Sequence, residues 1–261
     1  MGDIRRCRGD TQRVTLPSLE EVEAAIQRLF IRAEGTSLRD EDRKKARELR
    51  GLLAEMHPLP RRGVVVDAAA GRASVGLIAA ELLSSCELVV IERSHDRVRA
   101  CLDAAKHLTR SATVDVREAD VADPAAWPDA PELVVALHAC GPASDHIIDR
   151  AAACGASRVL LVPCCVGAGV AFAKTAREAV ARWPIPKQSA VRQRLEHGLI
   201  DAWRTLRLEA AGYEVTVLPF VPPTVTPYNL LWRCRRVGQR DAMERAAKRL
   251  EEILSLADAP S

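Results

Sequence analysis

The 261-residue sequence predicts an α/β fold: a mostly parallel, seven-stranded sheet with its last strand antiparallel, helices on both faces and an N-terminal helical cap. Three observations carry this. From Gly63 onward, short apolar runs alternate with helix-like segments; the runs are continuously apolar rather than alternating; and two final strands follow without a full crossover helix between them. Continuous apolar strands separated by helices are buried on both faces, which is the habit of parallel sheets. Two strands lacking a crossover close as an antiparallel pair.

The elements follow in order. Ser18-Leu-Glu-Glu21, after Pro17, is a capping box that opens a helix through about Ala33. A second helix, Ser37 to Met56, puts Leu38, Ala46, Leu49, Leu53 and Met56 on one face. Its Arg39, Asp42, Arg43, Lys44 and Glu48 read as a solvated surface, and Pro58 and Pro60 then break the chain. Strands are expected at 64–66, 88–91, 113–117, 133–137 and 158–162, with helices at 73–83, 94–107 and 143–154, the last stopped by Gly155. Helices at 169–182 and 189–211 are split by Trp183-Pro-Ile-Pro186; strands at 213–219 and 229–235 and an amphipathic helix at 241–256 complete the chain. The expected division is an N-terminal extension packed on the domain (1–60), the main domain (61–238) and a C-terminal helix (239–261).

Composition narrows the function. The 38 Lys plus Arg nearly balance 35 Asp plus Glu, which argues against a polybasic nucleic-acid binder and against an acidic disordered chain. Nine scattered aromatics make a base-stacking platform improbable. Met1 to Arg13 lacks an apolar signal core, and the longest apolar run, Val159 to Ala173, is shorter than the ~18 residues of a membrane span. A soluble, cytoplasmic protein without membrane association is expected. Cys86, Cys101, Cys154 and Cys234 lie in apolar runs and read as reduced, buried thiols; with no CxxC pair, no metal is expected.

Ligands of such sheets sit beyond the carboxyl ends of the strands, so the residues ending each strand are the candidates. The first ends in Asp67-Ala-Ala69-Ala-Gly71-Arg-Ala73-Ser-Val-Gly76. A nicotinamide-dinucleotide site would need GxGxxG here; an acid instead repels pyrophosphate and suits an ammonium or sulfonium charge. Glu92, 25 residues on, ends the second strand, where a carboxylate accepts both ribose hydroxyls. After the third strand, Asp120 is placed for an adenine amino group and the next backbone amide, Val121, for a ring nitrogen. Three acids at three successive strand ends point to an adenosine-type cofactor.

Leu137-His138-Ala139-Cys140-Gly141-Pro-Ala-Ser144-Asp145 and Val162-Pro163-Cys164-Cys165 resemble the H-x-C-G-x-x-[ST]-D and Cys-Cys motifs of a subgroup of class I S-adenosylmethionine-dependent methyltransferases. That subgroup is similar to a tRNA ribose 2'-O-methyltransferase family and to uncharacterised bacterial methyltransferases. Thr226-Pro227-Tyr228-Asn229 resembles the T-P-K-N element of the bacterial members, with Tyr228 in place of lysine. The resemblance spans roughly Gly63 to Arg236 and implies a Rossmann-like class I methyltransferase fold with S-adenosyl-L-methionine as cofactor. It also departs from the family: the usual D-x-G-x-G-x-G carries alanine at 69 and 73, and the zinc-knuckle modules of the tRNA family are absent from this sequence.

By position the resemblance implies Asp67, Ala69 and Gly71 by the methionine moiety, Glu92 on the ribose, Asp120 and Val121 on the adenine, and Leu137 and His138 beside the sulfonium. Methyl transfer needs alignment and, for a hydroxyl acceptor, a base. His138 is the candidate base, and Asp145 would orient it or take the proton itself. Cys164 or Cys165 is an alternative nucleophile, activated by a helix start at Gly167 to Ala171, against the simpler reading of two thiols packing at a strand end. Tyr228 and Asn229 are substrate-binding candidates. The acceptor stays open between RNA, protein and a small molecule. Arg192, Arg194, Arg204 and Arg207, with Arg233, Arg235, Arg236 and Arg240, would serve RNA phosphates, unless they belong to mixed solvated surfaces. The rival reading, motivated by the two alanines, is a methyltransferase-like binding subunit with weak or no catalysis.

Overall fold

The structure is a computed structural model describing residues 15–31, 37–58, 63–83, 87–164 and 169–257. The N-terminal arginines, Pro60, Cys86, Cys165 and Gly167 lie outside the described residues.

The chain opens with two helices. In α1 (Leu19–Ile26) the Ser18 hydroxyl accepts from Glu21 N at 3.2 Å while the Glu21 carboxylate accepts from Ser18 N at 2.7 Å, the reciprocal cap read from the sequence. A π-helical turn, Gln27–Ile31, extends it, and α2 (Asp40–Met56) follows. Next come β1 (Val64–Ala68), α3 (Ser74–Leu83), β2 (Glu87–Glu92), α4 (His95–Ala105), β3 (Thr113–Glu118), β4 (Leu133–Ala139), α5 (Pro142–Ala153) and β5 (Arg158–Pro163). The remaining elements are α6 (Ala173–Arg182), α7 (Ser189–Ala210), β6 (Tyr213–Pro219), β7 (Leu230–Arg236) and α8 (Arg240–Leu254).

The strands form one sheet in the order β3-β2-β1-β4-β5-β7-β6. The pairs β1–β2, β1–β4, β2–β3 and β4–β5 are parallel, and β7 runs antiparallel to both its neighbours. This is a Rossmann-like, doubly wound sheet with its last strand antiparallel, as the sequence predicts. Alternate residues of the central strands enter two different cores: Val65, Leu88 and Val90 face α1–α3, while Val66, Val89 and Ile91 join Ile147, Ile148 and Leu208 of α5 and α7. A third cluster, Val170, Phe172, Ala176, Ile200 and Trp203, ties α6 to α7.

The strand order reverses between β1 and β4, the place where open α/β sheets leave a crevice at their carboxyl edge. There α3 packs close on β1. A Cβ on Gly76 would fall 2.7 Å from Leu88 Cδ1 and 3.0 Å from Asp67 Cβ, so any side chain at that crossing would have to displace one of them. No described helix is long and apolar enough to cross a membrane.

Candidate functional site at the carboxyl edge of the sheet

A cavity of about 410 Å³ opens at the ends of β1–β4, lined among others by Ala69, Glu92, Asp120, Val121, His138 and Cys140. Its size lies within the ~300–1,000 Å³ range of small-molecule sites. Five of the residues singled out from the sequence therefore meet in one place. Asp67, Gly71 and Leu137 are not among the lining residues. The Asp67 carboxylate is buried and accepts the Gly76 N–H at 2.8 Å; burial pushes it up to about 7, opposed by that hydrogen bond and by the charge of Lys45. Gly71 N donates to Glu92 Oε2 at 2.7 Å, and Ser94 N to Oε1 at 2.9 Å. A carboxylate has about four lone-pair positions, so Glu92 keeps acceptor capacity toward the cavity. Asp120 caps its own turn through Ala122 N and lies 3.7 Å from Arg93.

Ala69 and Ala73 adopt φ +52° and +53°, so the alanines that replace the usual glycines keep the left-handed backbone of the motif.

His138 sits on a bulge. Leu137 pairs with Val162 and Ala139 with Pro163, leaving His138 as the extra residue, at φ +60°. Bulges re-aim side chains, and residues held at positive φ concentrate at functional sites. Its ring does not meet Asp145. Nε2 lies 3.1 Å from Oε2 of Glu48 on α2, and Lys45 Nζ approaches the same oxygen at 3.4 Å. Burial raises the Glu48 carboxyl, but the His138 hydrogen bond and the Lys45 charge outweigh it and hold the group below the usual glutamate range. Glu48 is 5% exposed, which corrects its reading as part of a solvated helix face. The sequence reading also omitted Lys45. The available signal was position: Glu48 lies one helical turn before the fully buried Leu52, on the rim of the apolar face.

Asp145 is a second correction. It pairs with Arg204 of α7, Nε to Oδ1 2.8 Å, and both residues are buried. Arg204 also donates to the Gly141 carbonyl, so this ion pair clamps α7 onto the start of α5 and leaves the orientation of His138 to Glu48.

Cys140 and Cys164 form a disulfide, their Cα atoms 5.5 Å apart. This corrects the reading of Cys164 as a free thiol, whether packed at the strand end or nucleophilic, because a sulfur bonded to sulfur offers no thiolate. The β4–β5 register explains the pairing: Ala139 faces Pro163, so the next residue on each strand meets the other. Cys101, Cys154 and Cys234 are free, and burial pushes all three thiols up.

Beyond the disulfide lies a second cavity of about 200 Å³, lined by Cys164, His197, Asp201, Tyr228 and Asn229 among others. The two substrate candidates thus share one pocket, separate from the first. Asp201 is pushed up to about 6 by burial, against the charge of Arg204, which suits it to exchange protons near neutrality. The basic clusters are largely engaged within the chain. Arg204 and Arg207 bind Asp145 and Asp149, Arg233 pairs with Glu55 and Arg235 with Glu214, and Arg236 donates to the Ala152 carbonyl. Among the described residues no group of three metal-binding side chains occurs.

Residues 44–168 match a family described as "Methyltransferase domain". A Xenopus laevis protein described as "Glutathione S-transferase C-terminal domain-containing protein" is 25% identical over 219 residues, 76% of this chain and 35% of its own. The chain thus spans about a third of that relative's length. Among solved structures, the magnesium protoporphyrin IX methyltransferase of Synechocystis PCC 6803 with bound SAH aligns over 82% of this chain and 93% of its own, at 12% identity and TM-score 0.46. An SAH-bound Podospora anserina methyltransferase aligns over 85% and 88%, at 16% identity and TM-score 0.46.

Proposed function

We propose that the chain is an S-adenosylmethionine-dependent methyltransferase acting on a hydroxyl or amine of an acceptor drawn from RNA, protein or small molecules. The observation that carries this is the cavity at the β1–β4 edge, with Glu92, Asp120 and His138 on its wall. The residues fit the cofactor. Glu92 retains lone pairs for ribose hydroxyls, Asp120 and the Val121 backbone would meet the adenine, and Arg93 and Arg97 on the same wall balance the two carboxylates. Asp67, Ala69 and Gly71 would hold the methionine end, with Leu137 and His138 next to the transferring group. When bound, the cofactor supplies an electrophilic methyl on sulfur. The chain aligns the acceptor through the Tyr228–Asn229 pocket, holds it beside His138 and takes its proton there.

The test is transfer of labelled methyl groups from S-adenosylmethionine into fractionated lysate. Counts above a heat-killed control are expected in one fraction, the acceptor class. His138→Ala is expected to reduce them about 10²-fold, a typical loss for a base, while Cys164→Ala stays within a few-fold. Absence of counts in every fraction overturns the enzyme reading, and the reverse ranking of the two variants overturns His138 as base.

A further inference from the structure

Two facts about His138 are unexplained by its place at the cavity wall. Its Nε2 faces a buried carboxylate contributed by the N-terminal helix α2, and its Nδ1 is buried without a hydrogen-bond partner. A buried polar atom left unpaired forfeits its hydration without return, and natural structures retain few of them without a reason.

We propose that Glu48 is a positioning residue that locks His138 in its Nε2–H tautomer and reserves Nδ1 as the atom that receives the acceptor's proton. The assignment of that proton rests on the methyltransferase reading; the tautomer does not. An ionised carboxylate only accepts hydrogen bonds, so the nitrogen 3.1 Å away must be the protonated one. The opposite tautomer sets two lone pairs against each other at Nε2 and buries an Nδ1–H with no acceptor, two penalties at once. Lys45, 3.4 Å from the same Glu48 oxygen, keeps the carboxylate ionised. The ring reaches Glu48 of α2 from the β4 bulge, where His138 has φ +60°.

With Nε2 committed, the lone pair on Nδ1 matches an incoming O–H or N–H, and the unpaired nitrogen is satisfied when the acceptor binds. In the transfer, the acceptor heteroatom forms its bond to the methyl carbon as the carbon–sulfur bond breaks, and the sulfur keeps that electron pair as a neutral thioether. The acceptor's proton moves to Nδ1. The resulting imidazolium is paired with Glu48 until the proton passes to water. The N-terminal helices are thereby part of the site rather than an accessory layer.

The experiment is long-range ¹H–¹⁵N correlation of the full-length, ¹⁵N-histidine-labelled protein above the imidazole titration range, with His138→Gln to assign the resonance. Wild type is expected to show the Nε2–H pattern. Glu48→Ala is expected to collapse it to a tautomer average and to lower methyl transfer about 10²-fold. Glu48→Gln keeps an acceptor oxygen in place; it is expected to restore the tautomer and most of the transfer, which a purely structural role for the Glu48 charge would not do. An Nδ1–H pattern in wild type, or an unchanged spectrum in a folded Glu48→Ala protein, overturns the proposal. Full transfer by Glu48→Ala overturns it while leaving the methyltransferase reading intact. The Nε2–H pattern in a protein that transfers no methyl overturns the methyltransferase reading instead.

Discussion

Ala69 and Ala73 hold a backbone conformation that costs an L-residue ~1–2 kcal/mol, at φ +52° and +53°. Glycine would relieve that strain and lose roughly 0.5–1 kcal/mol to its freer unfolded chain. Ala69 is half-buried, so Ala69→Gly is expected to raise stability by up to about 1 kcal/mol, read as a higher urea midpoint. Ala73 is fully buried, and losing its methyl costs ~0.8 kcal/mol, so Ala73→Gly is expected to be near neutral. Asp67 makes a pH prediction. Its carboxyl ionises near 3.8 in the unfolded chain but at about 7 when buried in the fold, even with Gly76 N–H and Lys45 favouring the charge. Between those values the unfolded state alone gives up the proton. The contribution of Asp67 to cofactor-free stability should be greatest below about pH 4, fall as the pH rises to about 7, and then level off. Asp67→Asn should flatten this slope in denaturation curves taken at several pH values. The acids at strand ends were legible because they interrupt apolar runs. The left-handed φ values were not, since alanine carries no signal for them.

At the scale of elements, α2 delivers Glu48 and Lys45, so its docking matters to the site. Gly51 records how close that docking is. A Cβ there would fall 2.6 Å from the Phe220 carbonyl oxygen and 2.6 Å from Val221 Cγ1. In an ordinary exposed helix Gly→Ala gains ~1 kcal/mol. Gly51→Ala is expected instead to lose about 1–3 kcal/mol by overpacking, seen as a lower midpoint with an unchanged denaturant slope. A gain would show that α2 does not lie against the segment after β6. The strands and most helices were readable because apolar runs, caps and Gly/Pro breaks are local. Glu48 was not, because helical periodicity marks the apolar centre of a face and leaves its rim undecided; the partner that decides it is 90 residues away. The Cys140–Cys164 pair depends on the β4–β5 register, and the Asp145–Arg204 pair on the packing of α7 against α5. Neither relation exists until the sheet is assembled.

At the scale of the molecule, two cavities share the carboxyl edge of one sheet. The disulfide stands between them, Cys140 lining the first and Cys164 the second. In the proposed function the first cavity would take the cofactor and the second the acceptor. The charge of the chain is nearly balanced, and Arg204, Arg233 and Arg235 are each paired with a carboxylate of the same chain. On the proposed function the first cavity takes S-adenosylmethionine despite methyl groups at 69 and 73. Calorimetric titration of the full-length protein tests it most directly. Saturable one-to-one binding is expected, weakened at least tenfold by Glu92→Ala, which removes the ribose acceptor. No heat of binding up to millimolar cofactor would contradict the account and leave a methyltransferase-like binding subunit in its place.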